Sequence, residues 1–428
     1  MMKLCIGLWL ATVGIGVTAQ NPGPFEERKA QPGWDVEKAA QYLDDRMDWR
    51  FAKAKPLQTG QGKTACMTCH TVVPYVLARP ALRRATRVNN PTPQEARLLD
   101  DTVHRVATYP AHQSIYDNKD KDSRGAEVVL NAFILASHEA FQHPDSQLKS
   151  TPGEGTGPTE QLGSRGIPAG RVPPRGALEA FQQAAKPPSD STRQAFRELW
   201  EAQRPDGAWD WPDFGLEPYE SKDAVFWGAA LAATAVGTVP NAVADNQEIS
   251  SNQVSRLRAY LQGKYDEQSL FNRAWLLLAA TRLPDLLAPS QRDALMAELQ
   301  KKQKEDGGWS LYELGPWRWS KASPPFGPRG QVDVELLSRS DGYATGLIAY
   351  VLRQAGLPSS HPSLRRAKDW LMANQQECQI GEQRWKCWRA YSLNQDHEHG
   401  GEHGELWPRM FMSDAATAFA VLALLSLD

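Results

Sequence analysis

The chain has 428 residues, and its 48 lysines and arginines nearly balance its 50 aspartates and glutamates, so the net charge is −2. This balance, together with the absence of a basic cluster, excludes an electrostatic nucleic-acid surface. The length is enough to bury one large hydrophobic core or two smaller ones.

The first residues have the pattern of a secretory signal peptide. Lys3 supplies a positive charge, and residues 4–17 form an apolar run that is too short for a convincing membrane span. Small residues then precede a predicted cleavage site after Ala19. An uncleaved membrane anchor is the alternative. Because no later segment is apolar enough to cross a membrane, residues 1–19 predict a mature protein that is periplasmic or secreted and has no stable membrane span.

Two of the four cysteines beyond this leader belong to the motif C-M-T-C-H at residues 66–70. This is the pattern of c-type haem attachment, in which Cys66 and Cys69 reach the vinyl groups of the porphyrin and His70 presents its imidazole to the iron. Haem is attached to such motifs outside the cytoplasm, so the leader supports the prediction of one covalent haem c. A disulfide or redox dithiol and a zinc site are the alternatives, although no second C-x-x-C pair completes a zinc site.

A repeated phrase, Q-x-x-D-G-x-W, occurs at residues 203–209 and 303–309, each time after an amphipathic helix. Asp-Gly ends the helix in a tight turn, the glutamine bonds the freed backbone groups and the tryptophan packs over the turn. A third, interrupted copy begins at residues 370–375, with its tryptophan displaced to Trp385 by an insertion. Cys378 and Cys387 flank this insertion, and a disulfide between them is predicted to stabilise the loop by a few kcal/mol.

Helical periodicity predicts six helix pairs, with no convincing alternating strand pattern. The predicted outer helices are 35–48, 93–108, 191–203, 250–262, 290–303 and 362–376. The predicted inner helices are 67–86, 124–140, 222–236, 267–281, 340–355 and 412–427. Six antiparallel hairpins close into a ring, so the predicted fold is all-α, an (α/α)6 toroid of six helix hairpins.

One stretch does not fit this pattern. Residues 144–190 are rich in proline and glycine and form a predicted linker. The linker separates N-terminal helix pairs at 20–143, which carry the haem motif, from C-terminal helix pairs at 191–428. The sequence leaves open whether these form one toroid or two loosely joined units.

The repeated phrases at 203–209 and 303–309 resemble those of squalene–hopene cyclases and of the wider terpene-cyclase and prenyltransferase toroids. The resemblance covers residues 190–428 clearly and residues 35–140 by helix pattern. It implies an α/α toroid and an apolar, terpenoid-like ligand. The D-x-D-D acid motif of the cyclases is absent, the nearest echo being Asp333-Val334-Glu335, and so is the zinc motif of protein prenyltransferases. The resemblance therefore extends to the fold and not to the cyclisation mechanism.

The ring topology predicts which residues share a rim. All inner helices of such a ring run parallel, so the haem motif at the start of the first should lie on the same rim as Asp223, Asp341 and Asp414, which cap or open later inner helices. The connections on this rim carry tryptophans, whose rings suit a porphyrin or a hydrocarbon ligand. They are Trp209, Trp211, Trp309, Trp317, Trp319, Trp385, Trp388 and Trp407.

The same rim supplies candidates for the remaining chemistry. A methionine as sixth haem ligand favours a high reduction potential, an imidazole a low one, and an empty position favours ligand or peroxide chemistry. The candidate sixth ligands are His112, His397, His399, His403, Met410 and Met412. The three histidines at 397, 399 and 403 also form a candidate metal site, with a solvated loop as the alternative. Candidate catalytic acids or bases are Asp341, Asp414, Asp223 and Glu127, with Arg124 beside the last, and helix capping is the alternative.

Three functions agree with these features. The first is a haem protein that binds or oxidatively transforms an apolar, isoprenoid-like small molecule. The second is a terpenoid cyclase or isomerase in which the haem is structural, against which the missing acid motif weighs. The third is a non-enzymatic electron-transfer or binding protein that meets a redox partner.

Overall fold

The structure, a computed structural model, describes residues 33–54, 56–67, 69–112, 118–142, 188–239, 247–318, 334–380, 383–394 and 407–428. The predicted signal peptide and residues 144–187 of the predicted linker lie outside these ranges. Trp319, His397, His399 and His403 also lie outside them, as do the side chains of Trp407 and Met410.

The described residues are mostly helical, as predicted, and the observed helices fall close to the predicted ranges. The helices are α1 (Val36–Lys53), α2 (Val72–Ala85), α3 (Pro93–Thr108), α4 (Asp120–Gln142), α5 (Asp190–Glu201), α6 (Ala224–Thr238), α7 (Gln247–Gly263), α8 (Leu270–Ala280), α9 (Pro289–Lys301), α10 (Val334–Leu337), α11 (Gly342–Gln354), α12 (Pro362–Ala373) and α13 (Trp407–Leu427). Within the described ranges, no helix is both long and apolar enough to cross a membrane.

Two short β-hairpins were not predicted from the sequence. Strands β1 (Pro56–Gln58) and β2 (Lys63–Ala65) pair antiparallel, and so do β3 (Gln376–Ile380) and β4 (Gln383–Cys387). Strands of three to five residues are too short for an alternating pattern to stand out from its surroundings. The first hairpin leads directly into the cysteine motif, so it positions the candidate site.

Six helices pack side by side in the order α2, α4, α6, α8, α11 and α13, and α13 packs in turn against α2. Each of the other long helices packs against at least one of these six. Small residues allow close approach: a Cβ added at Gly346 in α11 would lie 2.5 Å from the backbone nitrogen of Ala420 in α13. Helices before and after residues 144–187 meet in two places, at α4 with α5 and α6, and at α13 with α1 and α2.

The glutamine of each repeated phrase joins two parts of the chain. The side-chain amide of Gln203 donates to the carbonyl of Gln253 in α7, and that of Gln303 donates to the carbonyl of Ser363 in α12, so each turn is tied to a later helix. Gln375 of the interrupted copy exchanges two hydrogen bonds with the backbone of Asp35, the N-cap of α1. This last pair connects the third copy to the first helix, across 340 positions of sequence.

The tryptophan of the third copy is Trp388, and the sequence prediction of Trp385 was wrong. In the two intact copies the indole N–H donates to the carbonyl of Leu199 or Leu299, ten positions back, at 2.7 and 2.8 Å. Trp388 makes the equivalent bond to Leu371 at 2.8 Å. Trp385 instead donates to Asp45 in α1. The insertion is longer than predicted because it contains the whole β3–β4 hairpin.

The β3–β4 hairpin carries the predicted cysteine pair. Cys378 and Cys387 are both buried, their Cα atoms are 6.6 Å apart and their sulfur atoms lie at disulfide distance. The hairpin packs against α1, where the ring of Trp385 meets that of Tyr42 edge-on with centroids 6.1 Å apart. The cysteine pair therefore joins the two strands of the inserted hairpin where the hairpin contacts α1.

Candidate functional site

The cysteine motif lies in a turn between β2 and α2, and the prediction that it begins a helix at residue 67 was wrong. The helix begins at Val72 with Thr71 as its N-cap. Side chains from other helices hold the carbonyl groups at the start of the motif: Arg105 donates to Ala65 at 3.0 Å and Arg50 to Cys66 at 3.4 Å. These bonds tie the chain that enters the motif to α3 and α1.

The two motif thiols carry no disulfide, and both residues are half-buried. Burial raises the pKa of the Cys66 thiol, against the opposing charge of Arg50. Burial raises the pKa of Cys69 further, and the carboxyl of Glu220 and the Cys66 thiol add to the effect. Glu220 is itself half-buried, and burial raises its pKa to about 7. These groups affect one another's pKa because they lie close together. We call the partly exposed surface formed by Cys66, Cys69, His70 and Glu220 the recess.

The His70 ring lies against aromatic side chains. It stacks on Phe411 with centroids 4.0 Å apart and an interplanar angle of 26°, and it meets Tyr219 edge-on at 6.2 Å. Burial, reinforced by the charges of Arg50 and Arg46, lowers the pKa of His70 well below its ordinary value, so the ring is neutral at pH 7. Its Nδ1 lies 3.4 Å from Thr71 Oγ1, whereas no described residue hydrogen-bonds Nε2.

Asp414 joins this turn to the first and last long helices. Its carboxylate accepts hydrogen bonds from Tyr42 at 2.8 Å, from Arg46 at 2.7 Å and from Thr71 at 2.8 Å, and all four residues are buried. The sequence placed Asp414 at the start of its helix, but α13 begins at Trp407, so Asp414 lies inside it. It is the centre of a buried polar network and not a group at a cavity mouth.

The other candidate acids belong to separate networks. Asp341 is the N-cap of α11 and accepts three backbone N–H bonds; burial raises its pKa to about 7 although these bonds oppose the shift. Asp223 precedes α6 and pairs with Arg318 at 3.0 Å. Burial raises the pKa of Asp223 against the charge of Arg318. The structure thus brings neither of these acids to the cysteine motif.

Glu127 and His112 form a third buried network. Glu127 accepts from Arg105 at 3.2 Å and lies 2.6 Å from His112 Nδ1. His112 Nε2 lies 2.9 Å from Thr108 Oγ1, so both ring nitrogens of this candidate ligand have partners. Arg124 donates to the His112 carbonyl. Arg105 also donates to the carbonyl of Ala65, so this network is connected to the residue before the cysteine motif. His112 does not offer a free imidazole nitrogen to the motif.

Of the two candidate methionines, Met412 is buried in the core and the side chain of Met410 lies outside the described residues. The candidate metal site at His397, His399 and His403 lies outside them as well. Among the described residues, no group of three or more histidine, cysteine, aspartate or glutamate side chains is arranged to hold a metal ion.

Five aromatic rings form a packed cluster among α6, α8, α11 and α13: Trp227, Phe271, Trp275, Tyr343 and Phe419. Neighbouring centroids in the circuit from Trp227 through Trp275, Phe419 and Tyr343 to Phe271 lie 5.5–6.0 Å apart. Each ring is 0% exposed, so no space large enough for water borders these five rings. Cys66, Cys69, His70 and Glu220, in contrast, each remain partly exposed.

Tyr219 connects this cluster to the motif. Its ring lies 4.8 Å from that of Trp227 and 6.2 Å from that of His70, and its hydroxyl is hydrogen-bonded to that of Tyr343. Sequence reasoning missed Tyr219, Glu220, Arg50 and Phe411, because no motif or periodicity marks them. Trp209 and Trp309 clamp turns as the alternative interpretation held, and Trp317 packs on Phe271 at 5.8 Å.

No protein-family model matches this chain, and the curated proteins include no similar sequence. The resemblance to the squalene–hopene cyclases therefore rests on the repeated turns and on the helix pattern.

The raised thiol pKa values predict slow alkylation of the haem-free, reduced protein. Near neutral pH both thiols stay protonated, so we expect Cys66 and Cys69 to react with iodoacetamide more slowly than free cysteine, and Cys69 more slowly than Cys66. Glu220→Gln should accelerate Cys69, increasingly so above pH 7, because a neutral neighbour lowers the thiol pKa. Mass spectrometry of quenched samples measures each rate.

The matched control for this experiment is Glu267→Gln, which removes a carboxylate from an exposed ion pair with Lys264. It should leave both rates unchanged. Alkylation of Cys69 at the rate of free cysteine, or an equal response to both variants, would contradict the enclosed arrangement of the thiols.

Proposed function

We propose that this protein is an exported c-type haem protein, in which Cys66 and Cys69 hold the haem covalently and His70 ligates the iron. One observation carries the proposal: the turn that holds two half-buried thiols without a disulfide also holds an imidazole that is neutral at pH 7 and whose Nε2 no described residue hydrogen-bonds. Haem, when bound, supplies one-electron chemistry or an open coordination position. The export part rests on residues 1–19.

The donor set fits the group. Iron binds the neutral form of histidine, and the low pKa of His70 keeps the ring in that form. Vinyl groups react with free thiols, and neither cysteine is committed to a disulfide. Phe411 and Tyr219 supply apolar ring surfaces beside the imidazole. Arg50, which holds the Cys66 carbonyl, places a positive charge near the recess, which suits an anionic propionate.

The fold that we propose for the whole chain is an (α/α)6 toroid of six helix hairpins. The closed order of neighbours from α2 to α13 supports it, because the last inner helix packs on the first. The glutamine bonds from each turn to the next outer helix, including Gln375 to Asp35, support it independently. The resemblance of the repeated phrases to those of terpene-cyclase toroids agrees with both.

For the reaction, we favour electron exchange with a redox partner. The packed aromatic cluster leaves no water-sized space at its rings, so an isoprenoid-like molecule has no room among them, and we propose the partly exposed surface at the cysteine motif, beside Phe411, for it. Binding or oxidation of such a molecule is the second candidate. The cyclase alternative is weakened, because the carboxylates of Asp341 and Asp414 are both engaged by hydrogen-bond donors.

Expression with c-type haem maturation machinery tests the proposal. We expect a Soret-absorbing protein whose haem remains attached on a denaturing gel. Cys66→Ser with Cys69→Ser should abolish this attachment. The matched control is Cys378→Ser with Cys387→Ser, which removes the same number of thiols from the β3–β4 hairpin and should keep the haem. An exported protein without covalent haem, with Cys66 and Cys69 in a disulfide, would refute the proposal.

The spectrum of the loaded protein separates the two candidate reactions. A six-coordinate, low-spin haem that no added squalene or polyprenol perturbs supports electron transfer. A five-coordinate, high-spin haem whose spectrum shifts on adding such a molecule supports the apolar-ligand function.

A further inference from the structure

The hydroxyl group of Thr71 lies between two polar groups of the site. Its Oγ1 is 2.8 Å from Oδ2 of Asp414 and 3.4 Å from Nδ1 of His70. Thr71 and Asp414 are 4% and 1% exposed, so no bulk water competes for these bonds. A threonine hydroxyl has one proton to donate, so only one of the two bonds can use it.

The proton goes to Asp414. Arg46 pairs with both oxygens of this carboxylate, at 2.7 and 3.2 Å, and Tyr42 donates to the first. A carboxylate in such an ion pair accepts hydrogen bonds and donates none. The oxygen of Thr71 is then the acceptor for His70, which requires a proton on Nδ1. The lone pair of the neutral ring consequently lies on Nε2.

The sequence frees Thr71 for this role. An N-cap threonine ordinarily accepts a hydrogen bond from the backbone N–H of the second or third helical residue. The third residue of α2 is Pro74, which has no N–H, and Thr71 makes no side-chain capping bond. Its hydroxyl is therefore committed to Asp414 and His70 and not to the helix.

We propose that Asp414 is a positioning residue for His70: acting through Thr71, it fixes the imidazole as the Nδ1–H tautomer and directs the Nε2 lone pair into the recess. The inference rests on the proposed function only for the identity of the group that Nε2 binds. A carboxylate behind a ligating histidine makes the imidazole more electron-rich, which stabilises the oxidised metal. The Asp414–Thr71 pair therefore lowers the reduction potential of a haem bound at Nε2.

The tautomer is measured first, in the haem-free protein with reduced thiols. Long-range proton–nitrogen correlation spectra of ¹⁵N-histidine-labelled protein, assigned with His70→Gln, should show a protonated Nδ1 and an unprotonated Nε2 at neutral pH. Thr71→Val should remove this preference. Valine has nearly the same size as threonine, and no capping bond is lost because Thr71 makes none. Thr71→Ser keeps the hydroxyl and should retain the preference. The signals of His112, held by Glu127 and Thr108, serve as the folding control.

Asp414→Asn gives the sharpest result. If the amide oxygen takes the place of Oδ1, it keeps the bonds from Tyr42 and from Arg46 Nε, and the NH₂ group that replaces Oδ2 donates to Thr71 while the bond from Arg46 Nη2 is lost. Thr71 must then donate to His70, which reverses the relay and moves the proton to Nε2. A wild-type ring protonated at Nε2, or a tautomer that Thr71→Val leaves unchanged, would overturn the inference. Thr71→Val keeps the test decisive should Asp414→Asn fail to fold.

The second readout is the midpoint potential of the haem-loaded protein. It should rise in Thr71→Val and return towards the wild-type value in Thr71→Ser; an unchanged potential in Thr71→Val would overturn the tuning role. A protein that takes up no haem but shows the expected tautomer in its free form would refute the proposed function while leaving the inference about His70 intact.

Discussion

Replacing Asp414 with alanine is expected to lower the free energy of unfolding by about 3–5 kcal/mol, because it leaves a buried charge without its partner. Arg46 is 5% exposed and loses both of its hydrogen bonds to the carboxylate. Tyr42 and Thr71 lose an acceptor at the same time. Because these residues come from α1, from the turn before α2 and from α13, the loss should affect the whole molecule. Chemical denaturation followed by circular dichroism measures it.

The matched control is Asp428→Ala. Asp428 also pairs with a basic residue, Lys368, but more than half of its side chain is exposed. Surface pairs of this kind contribute about 0–1 kcal/mol. If the two variants lose similar stability, Asp414 is not the centre of a buried network and the account of the site given above fails.

Gly207→Ala is expected to have the second largest effect, about 3 kcal/mol of lost stability, because it combines backbone strain with a steric clash. Gly207 has φ +98°, in the left-handed region that side chains disfavour. A Cβ at this position would lie 2.2 Å from the backbone oxygen of Arg256 in α7. The turn and α7 would have to separate, and this movement would also break the hydrogen bond from Gln203 to Gln253.

Gly263→Ala is the control for this substitution. Gly263 ends α7, has nothing within 4 Å of an added Cβ and lacks a positive φ. Alanine there should be neutral or should stabilise by about 0.4–1 kcal/mol, since it restricts the unfolded chain. Equal destabilisation by both variants would mean that the repeated turns do not depend on close contact with their neighbours.

Helix positions could be predicted because they depend on local sequence. The apolar spacing and the capping residues of α3 give its bounds as Pro93–Thr108, and the structure shows the capping box of Thr92 and Glu95 at its start. The repeated phrases likewise predict their own turns, since each glutamine donates to the carbonyl of the glycine four positions on and each tryptophan donates to a carbonyl ten positions back. Periodicity and capping are short-range effects that one segment carries by itself.

The partners of Asp414 could not be predicted, because they lie 343–372 positions away in sequence. Asp341 and Asp414 stand in similar local sequences, yet only Asp341 caps its helix. The difference lies in where each helix starts: α11 begins directly after Asp341, whereas α13 begins at Trp407, so Asp414 lies inside it. For the same reason the sequence could not show that Asp341 accepts backbone hydrogen bonds and that Asp223 pairs with Arg318.

The third tryptophan shows the limit of reading repeats from sequence. Trp385 and Trp388 are three positions apart, and both are buried. Only the hydrogen bond from Trp388 to Leu371 identifies the equivalent of Trp309, because an insertion that forms a hairpin resets the spacing. Tyr219 and Glu220 could not be predicted as site residues, because they lie in a loop whose sequence has no periodicity and no motif.

Thr71 and Asp414 are 343 positions apart, and this separation sets an order of events when the chain is made. In a chain synthesised from its N-terminus, the cysteine motif is made before α13. Until α13 has arrived, Thr71 has no carboxylate to bond and His70 has no Phe411 ring to stack on. The turn that carries the two thiols therefore lacks these contacts until α13 has been made.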